Sequence, residues 1–296
     1  MALPVAIILI NWNNESDTAE CLESCQALDY PDCSIIVVDN GSGDGSGGRL
    51  RERFPGVEVI ETGCNLGFAG GNNVGIRHAL ENRAGLVWLL NNDTVVDPGA
   101  LTALIDVAER DRTVGMVGSK ISYYEAYDKL WYAGGNLDDR TPYRCSHRGL
   151  NEEDRGQYDD TGETGFVTGC SLLVRREVIE QIGLLDEKLF LYFEDTDWGA
   201  RARRSGWKLM YAPLSIVLHK ASASLGGMES PLMRYYLARN ILYFIRKNYP
   251  RVFFRAFGFD LFQNVIVMVK KGRLSAAGWA LRGIVDFLRG RTGQLQ

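Results

Sequence analysis

The chain has 296 residues, of which 46% are hydrophobic and 24% are charged, as is usual for a globular protein. This length is enough for one large α/β domain, or for such a domain with a helical extension. The net charge of −4 argues against binding to nucleic acid over the whole surface.

Short apolar strands alternate with helices through the first part of the chain. The predicted strands are Val5–Ile10, Ser34–Val38, Val57–Glu61 and Gly85–Leu90. The predicted helices run from Ser16 or Asp17 to Ala27, and over Gly48–Phe54 and Gly70–Glu81. Because the strands are apolar without polar alternation, they indicate a parallel sheet covered by helices on both faces. We therefore predict an α/β fold with a mostly parallel, doubly wound sheet.

Most of these strands run into a polar loop. In open parallel sheets, ligands bind at the carboxyl ends of the strands, so we expect the loops to meet along one rim. The loop residues concerned are Asn11 and Asn13, Asp39, the Asn65–Asn73 segment, and Asn92 with Asp93. Asp39 is placed to accept hydrogen bonds from a nucleoside, although an Asp before Asn-Gly is also typical of a simple turn.

The Asn65–Asn73 segment is rich in glycine and asparagine. Gly67, Gly70 and Gly71 allow the backbone to approach a ligand closely, and the asparagines add donors and acceptors. Since the segment opens a helix, its amides can meet a phosphate or a sugar. It fits neither the P-loop nor the Gly-x-Gly-x-x-Gly fingerprint, so the segment alone does not identify a ligand.

Two residues at strand ends offer metal ligands. Asp93 directly follows an apolar strand, and Mg²⁺ or Mn²⁺ commonly takes one or two carboxylates together with substrate phosphates. A capping turn is the alternative for Asp93, although Asp97, which directly precedes a proline, suits that role better. His219 ends the second of two later strands, Lys208–Tyr211 and Ser215–Leu218, and is either structural or a metal or phosphate ligand.

Residues 122–165 are rich in Tyr, Asp, Gly and Arg and are weakly periodic. They are too many for an ordinary connection, and we interpret them as a binding-loop region or a flap. A strand over Phe166–Val174 follows, with Gly169 and Cys170 at a close-packed point, and then a short helix over Arg175–Ile182.

The stretch that follows places three acids, Glu194, Asp195 and Asp197, within four residues among aromatic side chains. Clustered carboxylates in apolar surroundings are costly unless they are paired, metal-bound or catalytic. The alternative is an acidic first turn of a helix, with Asp197 and Arg201 paired four residues apart. Both interpretations stay open on these residues alone.

Taken together, the motifs resemble those of one family. The series is ILINWNN, VVDNGS, NLGFAGGNNVGI, LLNNDT, TGCSLLVRREV and FLYFEDTDWGARARRSGW, followed by His219. In this order they are similar to the motifs of inverting family 2 glycosyltransferases, and within that family to rhamnosyltransferase-like enzymes that build cell-surface polysaccharides. The resemblance covers residues 3–250 and implies a GT-A fold, in which a Rossmann-like α/β sheet binds a nucleotide sugar.

The resemblance also implies roles for the matching residues of the donor site. The donor nucleotide sugar would be bound by Asn11, Asn13, Asp39, Asn65, Gly67, Gly71, Asn72, Asn92 and Asp93. Asp93 matches the last acid of the family's Asp-x-Asp motif and would hold Mg²⁺ or Mn²⁺ together with His219. Asn91 and Asn92 replace the usual acids of that motif, so we expect either weaker metal binding or an ion held largely by Asp93, His219 and the diphosphate.

The same resemblance assigns the acidic stretch to catalysis. Asp195 matches the catalytic base of the family's Glu-Asp motif, with Glu194 beside it. A carboxylate in that role takes the proton of the attacking hydroxyl while a cation stabilises the leaving diphosphate, and a single displacement inverts the anomeric carbon. The acceptor pocket would be shaped by Gly169, Cys170, Trp198 and Arg201.

The resemblance implies transfer of a sugar from a nucleotide diphosphate to a hydroxyl of a saccharide or lipid-linked glycan. Rhamnose from dTDP-rhamnose is the favoured donor, with galactofuranose, glucose and N-acetylhexosamine donors as alternatives. A catalytically silent nucleotide-sugar-binding subunit of a glycan-assembly complex is a further alternative, since Asn91 and Asn92 depart from the motif. A sugar-nucleotide pyrophosphorylase is disfavoured, because Asn11–Asn14 stands where such enzymes carry a glycine-rich loop with Arg and Lys.

The C-terminal segment differs in character from the rest of the chain. We predict a GT-A domain over residues 1–228, with a nucleotide-sugar half to residue 120 and an acceptor half from 121, and amphipathic helices over 229–296. Met233–Tyr249 has helical apolar spacing, and Val252–Val269 is apolar but interrupted by Arg255 and Asp260. From residue 246 onward, ten Lys/Arg and two acids give a net charge of +8, so the remainder carries −12. These helices either pack on the catalytic domain or in a homodimer, or lie on an anionic membrane surface.

The cysteines and the N-terminus bear on the compartment. The six cysteines show no metal-ligand spacing, and reduced thiols in a cytoplasmic protein are the default expectation. The N-terminus lacks a basic region before its apolar run, so we predict no signal peptide. No uncharged run reaches the roughly 20 residues that span a bilayer. We therefore expect a cytoplasmic protein, or one bound peripherally to the inner face of the cell membrane.

Overall fold

The computed structural model describes residues 3–221 and 230–295. Within these ranges, an α/β part is followed by the helices of the C-terminal segment. The predicted domain boundary between residues 228 and 229 lies at the edge of the stretch 222–229, outside the described residues.

The α/β part contains twelve strands and six α-helices in the described residues. The strands are β1 (Val5–Asn11), β2 (Cys33–Asp39), β3 (Glu58–Glu61), β4 (Leu86–Asn91), β5 (Thr94–Val96), β6 (Val114–Tyr123), β7 (Ala126–Tyr132), β8 (Gly135–Asn136), β9 (Ser146–His147), β10 (Gly162–Glu163), β11 (Ser171–Arg175) and β12 (Lys208–His219). The helices are α1 (Glu15–Gln26), α2 (Ser46–Arg53), α3 (Gly67–Glu81), α4 (Ala100–Arg110), α5 (Arg176–Ile182) and α6 (Glu194–Arg204). The C-terminal helices are α7 (Pro231–Asn248), α8 (Phe253–Asp260), a π-helical turn (Leu261–Ile266), α9 (Val267–Lys270) and α10 (Leu274–Leu288).

The main sheet has the strand order β10-β12-β6-β11-β4-β1-β2-β3, with β5 added to β12 and β7 added to β6. The strands β3, β2, β1 and β4 are parallel neighbours, β11 is antiparallel between β4 and β6, and β12 is parallel to β6. In the described chain, six of the eight strands on this path therefore run in one direction. The predicted α/β fold with a mostly parallel sheet and a C-terminal helical extension is confirmed.

The register of the central strands brings their polar ends together. Asn11 at the end of β1 is the register partner of Asp39 at the end of β2. On the other side of β1, Ile10 pairs with Asn91 at the end of β4. The polar loops after these strands thus meet along one rim, as the sequence predicted.

The apolar character of the strands reflects burial on both faces of the sheet. Along β1, Val5, Ile7 and Leu9 belong to one core cluster, whereas Ala6 and Ile8 belong to the cluster on the other face. Since successive side chains point to opposite faces of a strand, both faces must be covered, and no position along the strand is left for alternating polar residues.

Several predicted element boundaries were wrong. Asn14, not Ser16 or Asp17, caps α1, and its side chain accepts a hydrogen bond from the backbone of Asp17. The two strands predicted near Pro213 form one strand, β12, whose register shifts between Ala212 and Ile216. Such an irregularity accommodates proline, which lacks the N–H that a regular ladder requires.

Residues 122–165 carry more regular structure than predicted. The region contributes β7 to the main sheet beside β6, and β8 pairs with β9 in a separate two-stranded sheet. Further along, β10 pairs with β12 at the edge of the main sheet. These short pairings extend the rim of the sheet and hold aromatic residues of β7 and β9 near the strand ends.

The C-terminal helices pack together and leave an apolar surface exposed. Apolar side chains of α7 and α10, including Leu242 and Ile284, form a small core of their own. The helical run Pro250–Lys270 is long and apolar enough to cross a bilayer by length and composition alone, and only 11% of its apolar window is buried. This run contains Arg255 and Asp260, which is why no uncharged stretch of this length appears in the sequence.

Candidate active site

Asn11 organises the rim of the sheet from a fully buried position at the end of β1. Its side-chain amide donates to Oδ1 of Asp39 over 2.8 Å and to the hydroxyl of Ser46 over 2.8 Å. Its Oδ1 accepts a hydrogen bond of 2.9 Å from the hydroxyl of Thr18. Because these bonds satisfy the Asn11 side chain within the protein, Asn11 positions Asp39 and does not itself offer a free polar group to a ligand.

Asp39 lies at the rim under the N-terminus of α2. A Cβ atom on Gly47 would lie 2.6 Å from Oδ2 of Asp39, so the close approach of α2 requires glycine at this position. Asn13 borders the same loop, where its Oδ1 accepts a hydrogen bond of 2.9 Å from the backbone of Gly43. The structure therefore brings Asn13 and Asp39 to one side of the rim, while their contact with a nucleoside stays a prediction.

The glycine-rich segment forms the first turns of α3, which begins three residues earlier than predicted. Gly67 has a φ of 72°, and a Cβ atom there would collide with the carbonyl oxygen of Phe190. Oδ1 of Asn65 accepts a hydrogen bond of 2.8 Å from the backbone N–H of Gly67. A Cβ atom on Gly71 would lie 3.0 Å from Cδ1 of Ile10. These glycines thus allow α3 to pack closely on the sheet and on the Phe190 loop.

Two asparagines of this segment are satisfied inside the protein. The Asn72 amide donates to the carbonyl oxygen of Phe68 over 3.0 Å within α3. Asn73 exchanges two hydrogen bonds with the backbone of Leu185, at 3.0 and 3.1 Å. Binding of the donor by Asn72 stays a prediction, and the contacts of its side chain are those of a structural residue.

Asp93 and His219 meet where β4, β5 and β12 come together. Nε2 of His219 lies 3.2 Å from Oδ1 of Asp93, and both side chains are buried. The register of β12 against β5 creates this proximity, because His219 is the register partner of Thr94, the neighbour of Asp93. The amide of Asn92, in contrast, donates to the hydroxyl of Thr18 over 2.8 Å.

This pair fits part of a divalent metal shell. Two ligands at about 2.1 Å from an octahedral ion lie about 3 Å apart when they are adjacent. Oδ1 of Asp93 and Nδ1 of His219 form no hydrogen bond with any described residue. Within the described ranges, no group of three or more His, Cys, Asp or Glu is arranged to hold a metal. The pair would therefore hold an ion only jointly with oxygens of a bound diphosphate or of water.

The protonation of His219 is coupled to its neighbours. Burial disfavours the charged ring, but Cys170 and Asp93 outweigh burial and raise the pKa of His219 to about 10. Burial also raises the pKa of the Cys170 thiol, so the thiol stays neutral beside the ring. Since a metal binds neutral imidazole, metal binding at this pair would displace a proton.

Asp195 lies in the first turn of α6 with both carboxylate oxygens bound. Its Oδ2 accepts a hydrogen bond of 2.8 Å from the backbone N–H of Gly169, and its Oδ1 accepts one of 3.0 Å from the hydroxyl of Thr196. Cys170, the residue after Gly169, lies against His219. Two adjacent residues before β11 therefore link the Asp195 carboxylate to the Asp93–His219 pair.

Glu194 differs chemically from the neighbouring Asp195. It is buried, and its Oε2 has no hydrogen-bond partner in the part of the chain that the structure describes. Burial, and then the charges of Asp195 and Asp197, raise the pKa of Glu194 well above its usual value. This environment favours the neutral carboxylic acid of Glu194 at neutral pH.

Two aromatic residues of the middle region complete the site. The ring centroid of Trp131 lies 4.5 Å from that of His147 and 4.5 Å from that of His219. Burial lowers the pKa of His147, and the negative charge of Asp195 partly opposes this shift. The sequence predicted a binding-loop region here but singled out neither residue. The available signal was that His147 is one of only three histidines.

Trp198 and Arg201 make the contacts of structural residues. Trp198 is fully buried, and its Nε1 donates to the carbonyl oxygen of Gly183 over 2.8 Å. Arg201 donates to the carbonyl oxygen of Ile182 over 2.6 Å and pairs with Asp197 at 2.9 Å. The acidic first turn and the Asp197–Arg201 pair are thus both observed. The pocket role of Trp198 and Arg201 stays a prediction, which these contacts do not favour.

The loop before α6 contains three residues within four positions whose backbone is in the strained left-handed region. Phe190, Tyr192 and Phe193 have φ angles of 64°, 68° and 72°, and such left-handed non-glycine residues cost about 1–3 kcal/mol each. Asn240 of α7 donates to the carbonyl oxygens of residues 189, 191 and 192 at 2.7, 2.8 and 3.0 Å. The C-terminal helix α7 therefore holds the loop that presents Asp195, a contact that the sequence did not predict.

Comparison with known proteins adds to this geometry. Residues 6–183 match the model of the family described as glycosyl transferase family 2. The N-acetylglucosaminyl-diphospho-decaprenol L-rhamnosyltransferase of Mycobacterium tuberculosis is 32% identical over an alignment of 214 positions, which covers 65% of this chain and 68% of that protein. The dTDP-rhamnosyl transferase RfbF of Shigella flexneri is 25% identical over an alignment of 309 positions, gaps included, which covers 97% of this chain and 96% of that protein.

Solved structures show the same fold at lower identity. The mannosyltransferase PcManGT from Pyrobaculum calidifontis, in complex with GDP-Man and Mn²⁺, superposes with a TM-score of 0.61 at 16% identity, covering 100% of this chain and 77% of that one. GalNAc-T7 with UDP, GalNAc and Mn²⁺ superposes with a TM-score of 0.65 at 17% identity, covering 98% of this chain and 58% of that one. These likenesses extend over the α/β sheet and support its assignment as a GT-A fold.

Proposed function

The chain belongs to glycosyl transferase family 2 and is a glycosyltransferase, and from this premise we propose that it transfers rhamnose from dTDP-rhamnose to a hydroxyl of a lipid-linked or cell-surface glycan. The names of two relatives support rhamnose as the sugar, and that of RfbF supports dTDP as its carrier. The single observation that carries the site assignment is the hydrogen bond of 2.8 Å from Gly169 to Asp195, next to Cys170 and His219. This contact supports a site in which the Asp195 carboxylate and the Asp93–His219 pair are linked through the adjacent residues Gly169 and Cys170.

We assign the base to Asp195. The acceptor hydroxyl attacks the anomeric carbon as the bond from that carbon to the nucleoside diphosphate breaks, and its proton passes to the Asp195 carboxylate. The N–H of Gly169 and the hydroxyl of Thr196 fix the direction of this carboxylate. One displacement, without a covalent intermediate, inverts the configuration at the anomeric carbon.

We assign the divalent ion, Mg²⁺ or Mn²⁺, to Asp93 and His219. When bound, the ion neutralises charge that builds on the leaving diphosphate. The 3.2 Å separation of Asp93 Oδ1 from His219 Nε2, and the lack of any other partner for this oxygen among the described residues, support this assignment. The Mn²⁺ present in the structures of the mannosyltransferase and of GalNAc-T7 supports the same class of ion.

The neutral Glu194 supports the base indirectly. A second negative charge beside Asp195 would repel the leaving diphosphate. Burial raises the pKa of Glu194 well above its usual value and so favours its neutral form, which avoids this repulsion. We therefore propose that Glu194 shapes the site and does not itself take the proton.

A lipid-linked acceptor is supported by the exposed apolar face of the C-terminal helices. Phe254 of α8 is 87% exposed, and other exposed apolar residues of these helices are Phe262, Ile266, Val269, Leu274, Leu281 and Leu288. Arg255 and Lys270 lie in these helices and Lys271 directly follows α9, and such cations favour an anionic lipid surface. We propose peripheral contact with a membrane. Co-sedimentation with anionic liposomes should fall with added salt, and equal recovery in the supernatant with and without liposomes would contradict it.

The alternative of a catalytically silent subunit rests on Asn91 and Asn92. The side-chain nitrogen of Asn92 donates a hydrogen bond to Thr18, and the neutral amide brings no charge to the diphosphate site. The direct test is release of dTDP from dTDP-rhamnose in the presence of a lipid-linked N-acetylglucosaminyl acceptor, with Mg²⁺, with Mn²⁺ and with EDTA. We expect release with a divalent ion. Donor binding by thermal shift without release under any condition would favour the silent subunit.

A further inference from the structure

A small cavity of about 180 Å³ lies apart from the donor rim, between α7, the end of α10 and the loop after α5. Its lining comes from three separate parts of the chain: Lys188; Arg239, Asn240, Tyr243 and Arg246; and Phe287, Gly290, Arg291 and Thr292. Drug-sized ligands occupy pockets of about 300–1,000 Å³, so this cavity is too small for a nucleotide sugar. It is large enough for a phosphate or a diphosphate.

The lining is strongly cationic. It contains Lys188, Arg239, Arg246 and Arg291 and no carboxylate. Like charges brought together destabilise the folded state unless counter-charges compensate them. Among the described residues, Lys188, Arg239 and Arg246 have no ion pair with an acid, and Arg246 instead lies over the ring of Phe287 at 5.3 Å.

Arg239 is the most unusual of these cations because it is only 2% exposed. Its guanidinium donates to neutral groups: Oδ1 of Asn240 at 2.8 Å, and the carbonyl oxygens of Leu189 and Gly293 at 3.2 and 2.7 Å. The rings of Tyr235 and Tyr236 lie within 5.3 Å of it. A buried charge without a counter-ion is costly even when it is hydrogen-bonded, so this arrangement calls for a nearby anion.

Two acids that contact lining residues of the cavity, Asp186 and Asp286, are already engaged. Asp186 accepts from Lys247 at 2.7 Å and from the hydroxyl of Tyr243 at 3.1 Å. Asp286 accepts from the hydroxyl of Tyr235 at 3.0 Å and pairs with Arg291 at 3.1 Å. Asp286 thus offsets the charge of Arg291, and three cations of the lining remain without a carboxylate.

We propose that this cavity binds a phosphoryl group. Guanidinium groups bind phosphate oxygens through paired N–H donors, and lysine adds a mobile charge, so Arg246 and Lys188 suit a phosphate or diphosphate. Arg239, whose N–H groups are engaged within the protein, adds its positive charge to the cavity. The source of the group is either a free phosphate or the headgroup of a lipid, since the exposed Leu288 of α10 immediately precedes the residues that line the cavity. The site is distinct from the donor rim and does not depend on the proposed sugar transfer.

The test compares two double variants of the full chain by binding alone. Lys188→Gln with Arg246→Gln removes two unpaired cations of the cavity, and Arg112→Gln with Arg140→Gln removes two exposed cations elsewhere. Both variants retain the buried Arg239. In the absence of ligand, the cavity variant should be at least as stable as the parent, because repulsion between the cations of the cavity is reduced. Each protein is titrated with inorganic phosphate and pyrophosphate in the presence of EDTA, and separately with phosphatidylglycerol vesicles.

A site for free phosphate would be supported by two results together. Phosphate should raise the melting temperature of the parent and the control, and the affinity for phosphate should be about tenfold or more weaker in the cavity variant. Weaker vesicle binding by the cavity variant than by the control, without a response to free phosphate, would assign the site to a lipid headgroup. Equal responses of the two double variants in both titrations would overturn the proposal. Because no arm measures turnover, that outcome leaves the glycosyl transfer untouched.

Discussion

Nε2 of His219 lies 3.2 Å from Oδ1 of Asp93, although the two residues are separated by more than 120 positions in the chain. The pairing of β5 with β12 brings them together. When His219 is protonated the contact is an ion pair, and Oδ1 of Asp93 has no other partner among the described residues. A carboxylate oxygen and an imidazole nitrogen held at this distance are also suited to two adjacent positions of a metal shell.

Metal binding tests this relationship. Asp93→Asn should weaken Mn²⁺ binding in the presence of dTDP by about 100-fold, because loss of one ligand removes a charge as well as a bond. Asn92→Asp, which restores an acid to the motif, should strengthen it. Titration calorimetry or Mn²⁺ electron paramagnetic resonance measures both. Unchanged Mn²⁺ affinity in Asp93→Asn would remove Asp93 from the metal site.

The pH dependence of metal binding has a fixed sign. With its pKa raised to about 10, His219 is protonated at neutral pH in the absence of metal, and an ion must displace that proton. Mn²⁺ affinity should therefore rise between pH 6 and pH 9 in the parent protein. In His219→Gln the affinity should be lower and nearly flat over the same range.

Glu194 and Asp195 are adjacent acids with different expected roles. Because burial keeps Glu194 neutral, Glu194→Gln preserves its charge and its shape. We expect its turnover to stay within about tenfold of the parent value, well short of the 10²–10⁴-fold that a general base contributes. Steady-state kinetics of dTDP release measures the difference. A loss in Glu194→Gln as large as that of an Asp195 variant would mean that Glu194 takes part in proton transfer.

Asn240 is expected to act through the loop that it holds. Asn240→Ala removes the hydrogen bonds to three carbonyl oxygens of the strained loop before α6. We expect kcat to fall by about tenfold while the KM for the donor, which binds at the rim, stays unchanged. Asn136→Ala, at an exposed position, serves as the control. If kcat and KM changed by the same factor, or if neither changed, α7 would have no role in positioning Asp195.

Asp260 makes the stability of the protein depend on pH. It is 1% exposed, and burial raises its pKa to about 7, although Asn264 opposes this by a hydrogen bond. Its unfolded pKa is near 3.8, so between about pH 4 and pH 7 the folded state binds the proton that the unfolded state has lost. Stability should therefore fall as pH rises through this range, by up to about 4 kcal/mol. Asp260→Asn should remove this fall, whereas Asp160→Asn, at an exposed position, should keep it in urea denaturation at pH 5 and pH 8.

The central sheet was predictable because both faces of it are buried. The apolar runs of β1 and β4, and that of β2 after Ser34, carry no polar residue until the rim, and the loops that follow them meet as predicted. The glycines of α3 were assigned to ligand contact, yet Gly67 and Gly71 are required by close packing on Phe190 and Ile10. Sequence alone does not separate these two uses of glycine, since both need the absence of a Cβ atom.

Contacts between distant segments were beyond the sequence. Trp131 and His147 reach the site because short strand pairings hold β7 and β9 near the strand ends. The sequence of this region is only weakly periodic, so these pairings could not be predicted from it. Asn240 and Arg239 lie in a helix whose amphipathic pattern predicted packing, but no local pattern names the loop carbonyls that they bind. Such residues are identified only by the tertiary structure.

The assignment of Asp195 as the base is tested most directly by Asp195→Asn. The amide is isosteric and can still accept the hydrogen bond from Gly169, but it cannot take a proton from the acceptor hydroxyl. We expect turnover of dTDP-rhamnose with a lipid-linked acceptor to fall by about 10³-fold or more, with nucleotide-sugar binding by thermal shift near that of the parent. Turnover close to the parent value in Asp195→Asn would contradict the account.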